Sequence, residues 1–381
     1  MKEIINAAAR YFRRLDKTLF LLTALLGAFG VVMLYSIVEN DVSTIRVGSR
    51  LYITQFVALC GGLAAALILS AVDYHKIVKL WYIYAPVSVL LVLLTFTSLG
   101  ITVESTGDRA WLDLGFITVQ PAELLKISFI CTFSIHLSKV EDDINKIGNV
   151  LLLVLHAAAP TALILVQGDD GTALVFALIS AFMLFAAGIS WLYIIPCLIA
   201  APVGGYVLWN YFLKPHQKMR FLVLFDETLD PMGYGYQQYY GKMALGSGRI
   251  FGKGLFGDDF IQVPEAQNDF IFAYIGQALG FIGCTAVIFV MTFVFMRIFA
   301  DSRISKDALG RNICIGMFSL IFIHCLLNIG MVIGVMPVIG VPLPFISQGG
   351  SALIALFTGI GLVMSTFSHS EKKYKMFYDA E

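Results

Sequence analysis

The chain has 381 residues, of which 58% are hydrophobic, 13% aromatic and only 14% charged, with Lys+Arg and Asp+Glu both at 26. Soluble domains carry about 45–50% apolar and about 25% charged residues, so this is the composition of a protein immersed in a bilayer. The even charge balance excludes a nucleic-acid-binding chain and an acidic disordered one, and collagen, coiled-coil and disulfide-scaffold compositions are excluded with them.

A membrane span needs about 20 mainly apolar residues. In chain order that ruler predicts ten spans, near 18–38, 51–72, 80–98, 121–137, 149–166, 171–187, 191–211, 269–296, 312–333 and 350–367. The first follows Lys2, Arg10, Arg13, Arg14 and Lys17. It is too long for the apolar part of a secretory leader and no small-residue cleavage site follows, so it reads as a retained anchor. The expected fold class is therefore an all-α polytopic membrane protein, a single domain over 1–381 with ten transmembrane helices and one long loop, 212–268, between the seventh and eighth. The six cysteines all fall in apolar stretches and read as small core residues rather than metal ligands or a disulfide framework.

Ten spans put both termini on one side, and positive charge decides which. With the N-terminus cytoplasmic, the inner segments carry 16 Lys+Arg and the outer ones 9, six of them in loop 212–268. Long loops count little in this rule, and without that loop the ratio is 16 to 3. The termini are thus expected in the cytoplasm and loop 212–268 outside. No Walker motif or dinucleotide-binding glycine pattern offers a site for ATP or NAD, so chemistry belongs at the outer membrane surface.

Polar residues concentrate in three outer segments and one irregular stretch, and charges at membrane depth are functional-site candidates. The first segment runs from Ser105 through Asp108, Arg109, Trp111 and Asp113 to Gln120, Pro121, Glu123 and Lys126. Pro121 suits a first helical turn, and Glu123 and Lys126, three apart, share a face, either as an internal ion pair or as the polar lining of a headgroup site. The second, Gln167-Gly-Asp169-Asp170-Gly171-Thr172, is a tight turn whose carboxylates either cap a helix or hold a divalent cation. The third is the long loop, with Arg220, Lys242, Lys253 and Glu265 among many glycines; such backbone is either flexible or able to approach phosphate oxygens. Asp269 sits where this loop becomes the eighth span, where the helix dipole is expected to favour its ionised form, as a cap or as a proton acceptor. Between the ninth and tenth spans, Met336-Pro to Gly349-Gly-Ser351 is too rich in Pro and Gly for a helix, and is either a re-entrant turn or a cavity wall. His324 and Asn328, four apart, read as an interhelical contact more than as a proton relay.

These residues resemble those of the SEDS (shape, elongation, division and sporulation) peptidoglycan glycosyltransferases, the RodA- and FtsW-like proteins, over essentially the whole chain. The resemblance rests on the joint order of Leu15-Asp16-Lys-Thr-Leu, Val32-Met-Leu-Tyr35-Ser36, Gly107 with Trp111, Gln120-Pro121-Ala-Glu123, Gln167-Gly-Asp169-Asp-Gly171-Thr172, Gly246-Ser-Gly248 to Gly252-Lys-Gly254, Pro264-Glu265 with Asp269-Phe-Ile-Phe, and Pro342-Leu-Pro344-Phe-Ile-Ser347 with Gly349-Gly-Ser351. The chain departs from the family at Gln267 and Asn268 before Asp269, at Gln277 and Ala278 after it, at Tyr240 and Gly241, and at Gln348.

The resemblance implies polymerisation of the lipid-linked disaccharide-pentapeptide, lipid II, into glycan strands at the outer face of a bacterial cytoplasmic membrane, with a class B penicillin-binding protein (transpeptidase) as partner, in elongation, division or sporulation. It makes Asp269 the expected catalytic carboxylate, a general base for inverting transfer. Arg109, Trp111, Glu123, Lys126, Arg220, Lys242, Lys253, Glu265 and Ser347 are the expected substrate-binding residues. Cations or a divalent metal (Mg or Mn, with Asp169 and Asp269 as candidate ligands) would offset the leaving diphosphate. A lipid II translocator and a catalytically silent scaffold for the transpeptidase are the alternatives.

Overall fold

The computed structural model describes residues 11, 13–42, 48, 50–102, 108–113, 115, 118–226, 229–230, 232–233 and 235–370. Ser105 to Gly107 of the first polar segment and Lys2 and Arg10 of the N-terminal tail lie outside the described residues.

Apolar stretches without water must satisfy their backbone polar groups internally, and helices do so. In chain order these are α1 (Lys17–Glu39), α2 (Arg50–Ala71), the short α3 (Tyr74–Lys79), α4 (Trp81–Leu94), α5 (Pro121–Lys139), α6 (Ile147–Gln167), α7 (Asp170–Ala186) and α8 (Trp191–Val207). A π-helical turn, Leu208–Phe212, extends α8, and α9 (Pro215–Phe225), α10 (Tyr236–Ser247), α11 (Ile271–Ile304), α12 (Ala308–Val332) and α13 (Gly350–Ser368) follow. Seven helices (α1, α2, α6, α8 with its π-turn, α11, α12, α13) are long and apolar enough to cross a membrane, and α4 and α7 are shorter apolar helices. The architecture is that of a mostly helical, polytopic membrane protein.

Several details differ from the sequence expectation. Loop 212–268 contains two helices, α9 and α10. Three strands, β1 (Gly100–Ile101), β2 (Trp111–Asp113) and β3 (Thr118–Val119), form a small antiparallel sheet with Leu112 paired to Gly100 and to Val119; strands this short carry no readable alternation. Helix α11 runs on to Ile304, past the expected end at 296, because Arg297 does not stop it: its guanidinium turns back to Asp16, 2.8 Å away, and lies 3.6 Å from Asp301. Cys131, Cys284, Cys314 and Cys325 are buried, but Cys60 and Cys197, expected in the core, lie on outward faces of α2 and α8, where the surroundings are as apolar as the interior.

Small residues let the central helices approach closely, as membrane packing requires. A Cβ at Gly361 on α13 would lie 2.9 Å from Ala66 Cα on α2, and one at Gly30 on α1 would lie 2.6 Å from the Ile346 carbonyl oxygen. The latter contact presses the irregular stretch after α12 against α1. Helix α11 is broken at Gly280, whose φ of 66° and ψ of −163° only glycine adopts readily. The break frees the carbonyls of Gln277 and Ala278, which accept from the N–H groups of Lys253 (3.0 Å) and Gly254 (2.9 Å). Gly248 and Gly252 are needed there because a side chain would collide with the α11 backbone.

Candidate active site

Asp269 closes the long segment two residues before α11 begins. Its backbone is gripped from α12, where Asn328 Nδ2 donates to the carbonyls of Asp269 and Val341, both at 2.8 Å. Ser347 Oγ donates to the Asn268 carbonyl (2.7 Å) and accepts from Leu343 N–H (2.8 Å), and Gln348 N–H donates to the Gln267 carbonyl (2.9 Å). These bonds lace the residues before α11 to the Pro- and Gly-rich stretch after α12. That stretch forms the wall beside the carboxylate: Gly340, at φ +76°, comes so near that a Cβ on it would lie 3.5 Å from Asp269 Oδ2. Gln55 holds the wall from behind, donating to the Ser347 carbonyl (3.0 Å) and accepting from Gly349 N–H (3.1 Å).

The Asp269 side chain is half-buried, and among the described residues no donor reaches its carboxylate. Burial pushes its pKa up to about 7, the negative charges of Glu265 and Asp169 push in the same direction, and Arg220 opposes them. This corrects the expectation that the helix dipole would favour ionisation. Asp269 precedes the Phe270 cap of α11, and no helix N–H reaches its carboxylate, while burial and the neighbouring carboxylates outweigh the helix dipole.

Glu265, at φ +56°, accepts from Asn268 Nδ2 (2.6 Å) and Gln267 Nε2 (3.4 Å). Two of the family departures therefore hold the neighbouring acid in place. Asp169 caps α7, with Oδ1 accepting from Thr172 N–H (2.9 Å) and Oδ2 from Gln120 Nε2 (3.1 Å). Gln167 carries this turn, its carbonyl accepting from Arg109 N–H (3.2 Å). The Arg109 side chain is exposed beside the turn, and Trp111 is half-buried in β2. Among the described residues no group of three His, Cys, Asp or Glu has metal-holding geometry. Asp169, with each oxygen accepting one protein donor, and Asp269 thus offer a divalent ion two carboxylates without a third His, Cys, Asp or Glu to complete the site among the described residues.

The remaining residues divide by position. Arg220, on α9, is the cation whose charge acts on Asp269; Gln217 on the same helix donates to Asp170 and ties α9 to the start of α7. Lys242, on α10, lies against Gly334, just beyond α12. Lys253 Nζ donates to the Asp259 carbonyl and sits 5.9 Å from the Phe260 ring centroid. With the N–H groups of Lys253 and Gly254 bonded to α11, this part of the glycine-rich backbone is a brace for the broken helix, and those two amides do not face an anion.

Glu123 and Lys126 form the expected pair, 2.9 Å apart and almost wholly buried. Lys126 Nζ also lies 3.1 Å from His324 Nε2, and His324 Nδ1 lies 3.3 Å from the Pro342 carbonyl. An ammonium donating to Nε2 requires a neutral ring with its proton on Nδ1, directed at Pro342. The network therefore props the wall of the recess from the α5 side. The sequence reading missed Gln55, whose signal is a lone amide within an apolar span, and the grip of Asn328 on Asp269, signalled only by its four-residue spacing from His324.

Residues 16–372 match the family model FtsW/RodA/SpoVE, described as cell cycle protein. The chain is 30% identical over 361 residues to the peptidoglycan glycosyltransferase MrdB of Escherichia coli K12, covering 93% of this chain and 94% of that one. It is 30% identical over 380 residues to the probable peptidoglycan glycosyltransferase FtsW of Trichlorobacter lovleyi, covering 96% of each. Among solved structures, one described as structural coordination of polymerization and crosslinking by a peptidoglycan synthase complex superposes with a TM-score of 0.79 at 28% identity, over 93% of this chain and 97% of that one. The rod shape determining protein RodA of Thermus thermophilus superposes at 0.69 and 25% identity, over 94% and 98%.

Proposed function

The chain belongs to the FtsW/RodA/SpoVE family of cell cycle proteins, and from that premise we infer that it is a peptidoglycan glycosyltransferase polymerising lipid II, with Asp269 as general base. The observation that carries the role of Asp269 is the half-buried carboxylate, raised to about 7 and reached by no described donor, beside a wall of Pro and Gly backbone. A base is most effective with a pKa near the working pH, and this one is close to neutrality.

The reaction needs one displacement. Ionised Asp269 takes the proton of the acceptor sugar hydroxyl as its oxygen bonds to the anomeric carbon of the donor. The bond from that carbon to the undecaprenyl diphosphate breaks, the diphosphate leaves with the electron pair, and the stereochemistry inverts. A single base meets this requirement, whereas a retaining mechanism needs a carboxylate nucleophile as well. Arg220, already within electrostatic reach of Asp269, offsets the charge gathering on the leaving diphosphate. Asn328, Ser347 and Gln55 hold the base and the wall in register.

Ten helices cross the membrane in this reading: the seven long apolar ones, the shorter α4 and α7, and α5, whose charges Glu123 and Lys126 neutralise each other in the interior. The termini are cytoplasmic, segment 212–268 and Asp269 face outward, and the enzyme resides in a bacterial cytoplasmic membrane. A class B penicillin-binding protein, a transpeptidase, is the partner, in keeping with the synthase complex whose structure this chain resembles.

The test is polymerisation of labelled lipid II by the purified protein with its transpeptidase. Wild type yields long glycan, and Asp269→Asn yields none while keeping its fold and its partner. Unchanged polymer length in the variant would refute the base assignment, and lipid II crossing a bilayer without polymer formation would replace the enzyme with a translocator.

A further inference from the structure

Helix α9 has two different faces. Gln217, Arg220 and Val223 point inward: Gln217 bonds to Asp170, Arg220 acts on Asp269, and Val223 is buried. Lys218, Phe221, Leu222 and Phe225, at the i, i+3, i+4, i+7 spacing of one helical stripe, point outward, and Phe225 is 86% exposed. An isolated exposed Leu needs no explanation, but a helical stripe of exposed Phe and Leu does.

We infer that the outward stripe of α9 is a lipid-docking surface, seated in the headgroup layer of the membrane that the chain's own helices cross. Helix α8 with its π-turn is 22 residues long, about 33 Å at 1.5 Å per residue, which matches the hydrocarbon thickness. No residue of α8 is buried by the rest of the protein, so lipid surrounds it and its end lies at the headgroups. Leu213 and Lys214 alone separate Phe212 from Pro215, and those three steps along the chain reach at most about 11 Å. The α9 start cannot leave that level, and its bond to Asp170, at the end of another apolar helix, holds it there a second time. Lys218 Nζ reaches back to within 6.0 Å of the Trp209 ring centroid in the π-turn, as a lysine does when its stem lies along apolar surface and its charge faces headgroups. Lys214 and Lys218, with no acid in the helix, complement anionic lipid.

A second contact point supports the same placement. Phe251 and Phe256 are 79% and 62% exposed, and Phe256 meets Tyr35, near the end of α1, with ring centroids 5.9 Å apart. The segment thus presents exposed aromatic rings at two places, α9 and Phe251 to Phe256, the second beside the end of α1. Because α9 carries Arg220 on its other face, the seating fixes the height of Arg220 relative to Asp269, which ties this surface to the glycosyltransferase site proposed above.

The seating itself is measured without any activity assay. Phe225→Trp and, separately, Phe251→Trp are reconstituted as full-length protein in nanodiscs of phosphatidylglycerol and phosphatidylcholine, with the wild type and its four tryptophans subtracted. The added emission is blue-shifted, is lost when the lipids carry a nitroxide near the headgroup end of the acyl chain, and is unaffected by iodide. Quenching by iodide but not by the lipid nitroxide would place the stripe in water and overturn the inference. Insensitivity to both would place it against protein, as a docking surface for a partner, and would overturn it equally. Failure of Asp269→Asn to stop polymerisation would remove the catalytic reading and leave this result standing.

Discussion

The two ends of α12 treat charge in opposite ways. At its first residues, Asp307 caps the helix at Gly310 N–H (2.9 Å), accepts from the Tyr74 hydroxyl (2.8 Å) and meets His75, which also meets Asp73 (2.9 Å); nearby, Asp16 is paired with Arg297. At its far end, about 37 Å away for 25 residues, Asn328 holds Asp269 among Glu265 and Asp169, and Arg220 opposes them without forming an ion pair. Paired charges secure a fold, whereas an unpaired carboxylate near like charges is costly and is retained where chemistry needs it. The contrast separates a stabilising end from the one proposed to be reactive.

The sharpest way to break it is Asp269→Asn, which should lower polymerisation by at least about 100-fold and raise the melting temperature by a few degrees, measured on the same preparation. The sign follows from the raised pKa. Folded Asp269 prefers its protonated form, so its contribution to stability is full below the ordinary carboxylate pKa of 3.8 and is lost as pH rises through about 7. Polymerisation, which needs the ionised form, should rise with pH through the same value, and a flat profile from pH 6 to 8 would contradict the assignment. At the paired end, Asp16→Ala leaves Arg297 without its 2.8 Å partner and should cost about 3 kcal/mol, read as a lower denaturation midpoint.

Gly280→Ala should cost about 2 kcal/mol by forcing a side chain into a glycine conformation against the Ile250–Gly252 backbone. Its effect on catalysis should follow stability alone. The smallest effect belongs to His75→Asn. Burial opposes the charge of His75, but Asp73 and Asp307 raise its pKa, so its stabilisation is present below 6.5 and fades as pH rises through the raised value. With the side chain 42% exposed, solvent screening limits the loss to about 0.5 kcal/mol, and a thermal shift at pH 6 that vanishes at pH 9 is the expected reading.

Much of this was legible in the chain. Length and apolarity located the helices, since a bilayer imposes both. The three-residue spacing of Glu123 and Lys126 foretold their pairing, and Asp169 caps a helix as an Asp before Gly171-Thr172 suggests. What stayed hidden depends on segments far apart in sequence. The pKa of Asp269 is raised by burial under distant segments, then by Glu265 and by Asp169, a hundred residues away, and is opposed by Arg220 on a helix too short and too polar to register as a span. Likewise, the glycines from 248 to 254 look alike whether they cradle a phosphate or brace a broken helix, and only the carbonyls of Gln277 and Ala278, freed by the break at Gly280, decide between the two.

Helix α8 touches its own protein only near its ends: at its start Tyr193 donates to the Asn145 carbonyl (3.0 Å) and Trp191 meets Phe185 (5.9 Å between ring centroids), and none of its residues is buried. Within this chain, its sequence beyond Tyr193 is therefore answerable mainly to solubility in oil and to length. Pro196 and Pro202 interrupt it without leaving a gap in any interface. Random apolar replacements along 191–207 should be tolerated far more often than along α12, making this stretch the natural place to insert a label, a tag or a different hydrocarbon thickness without disturbing the chemistry.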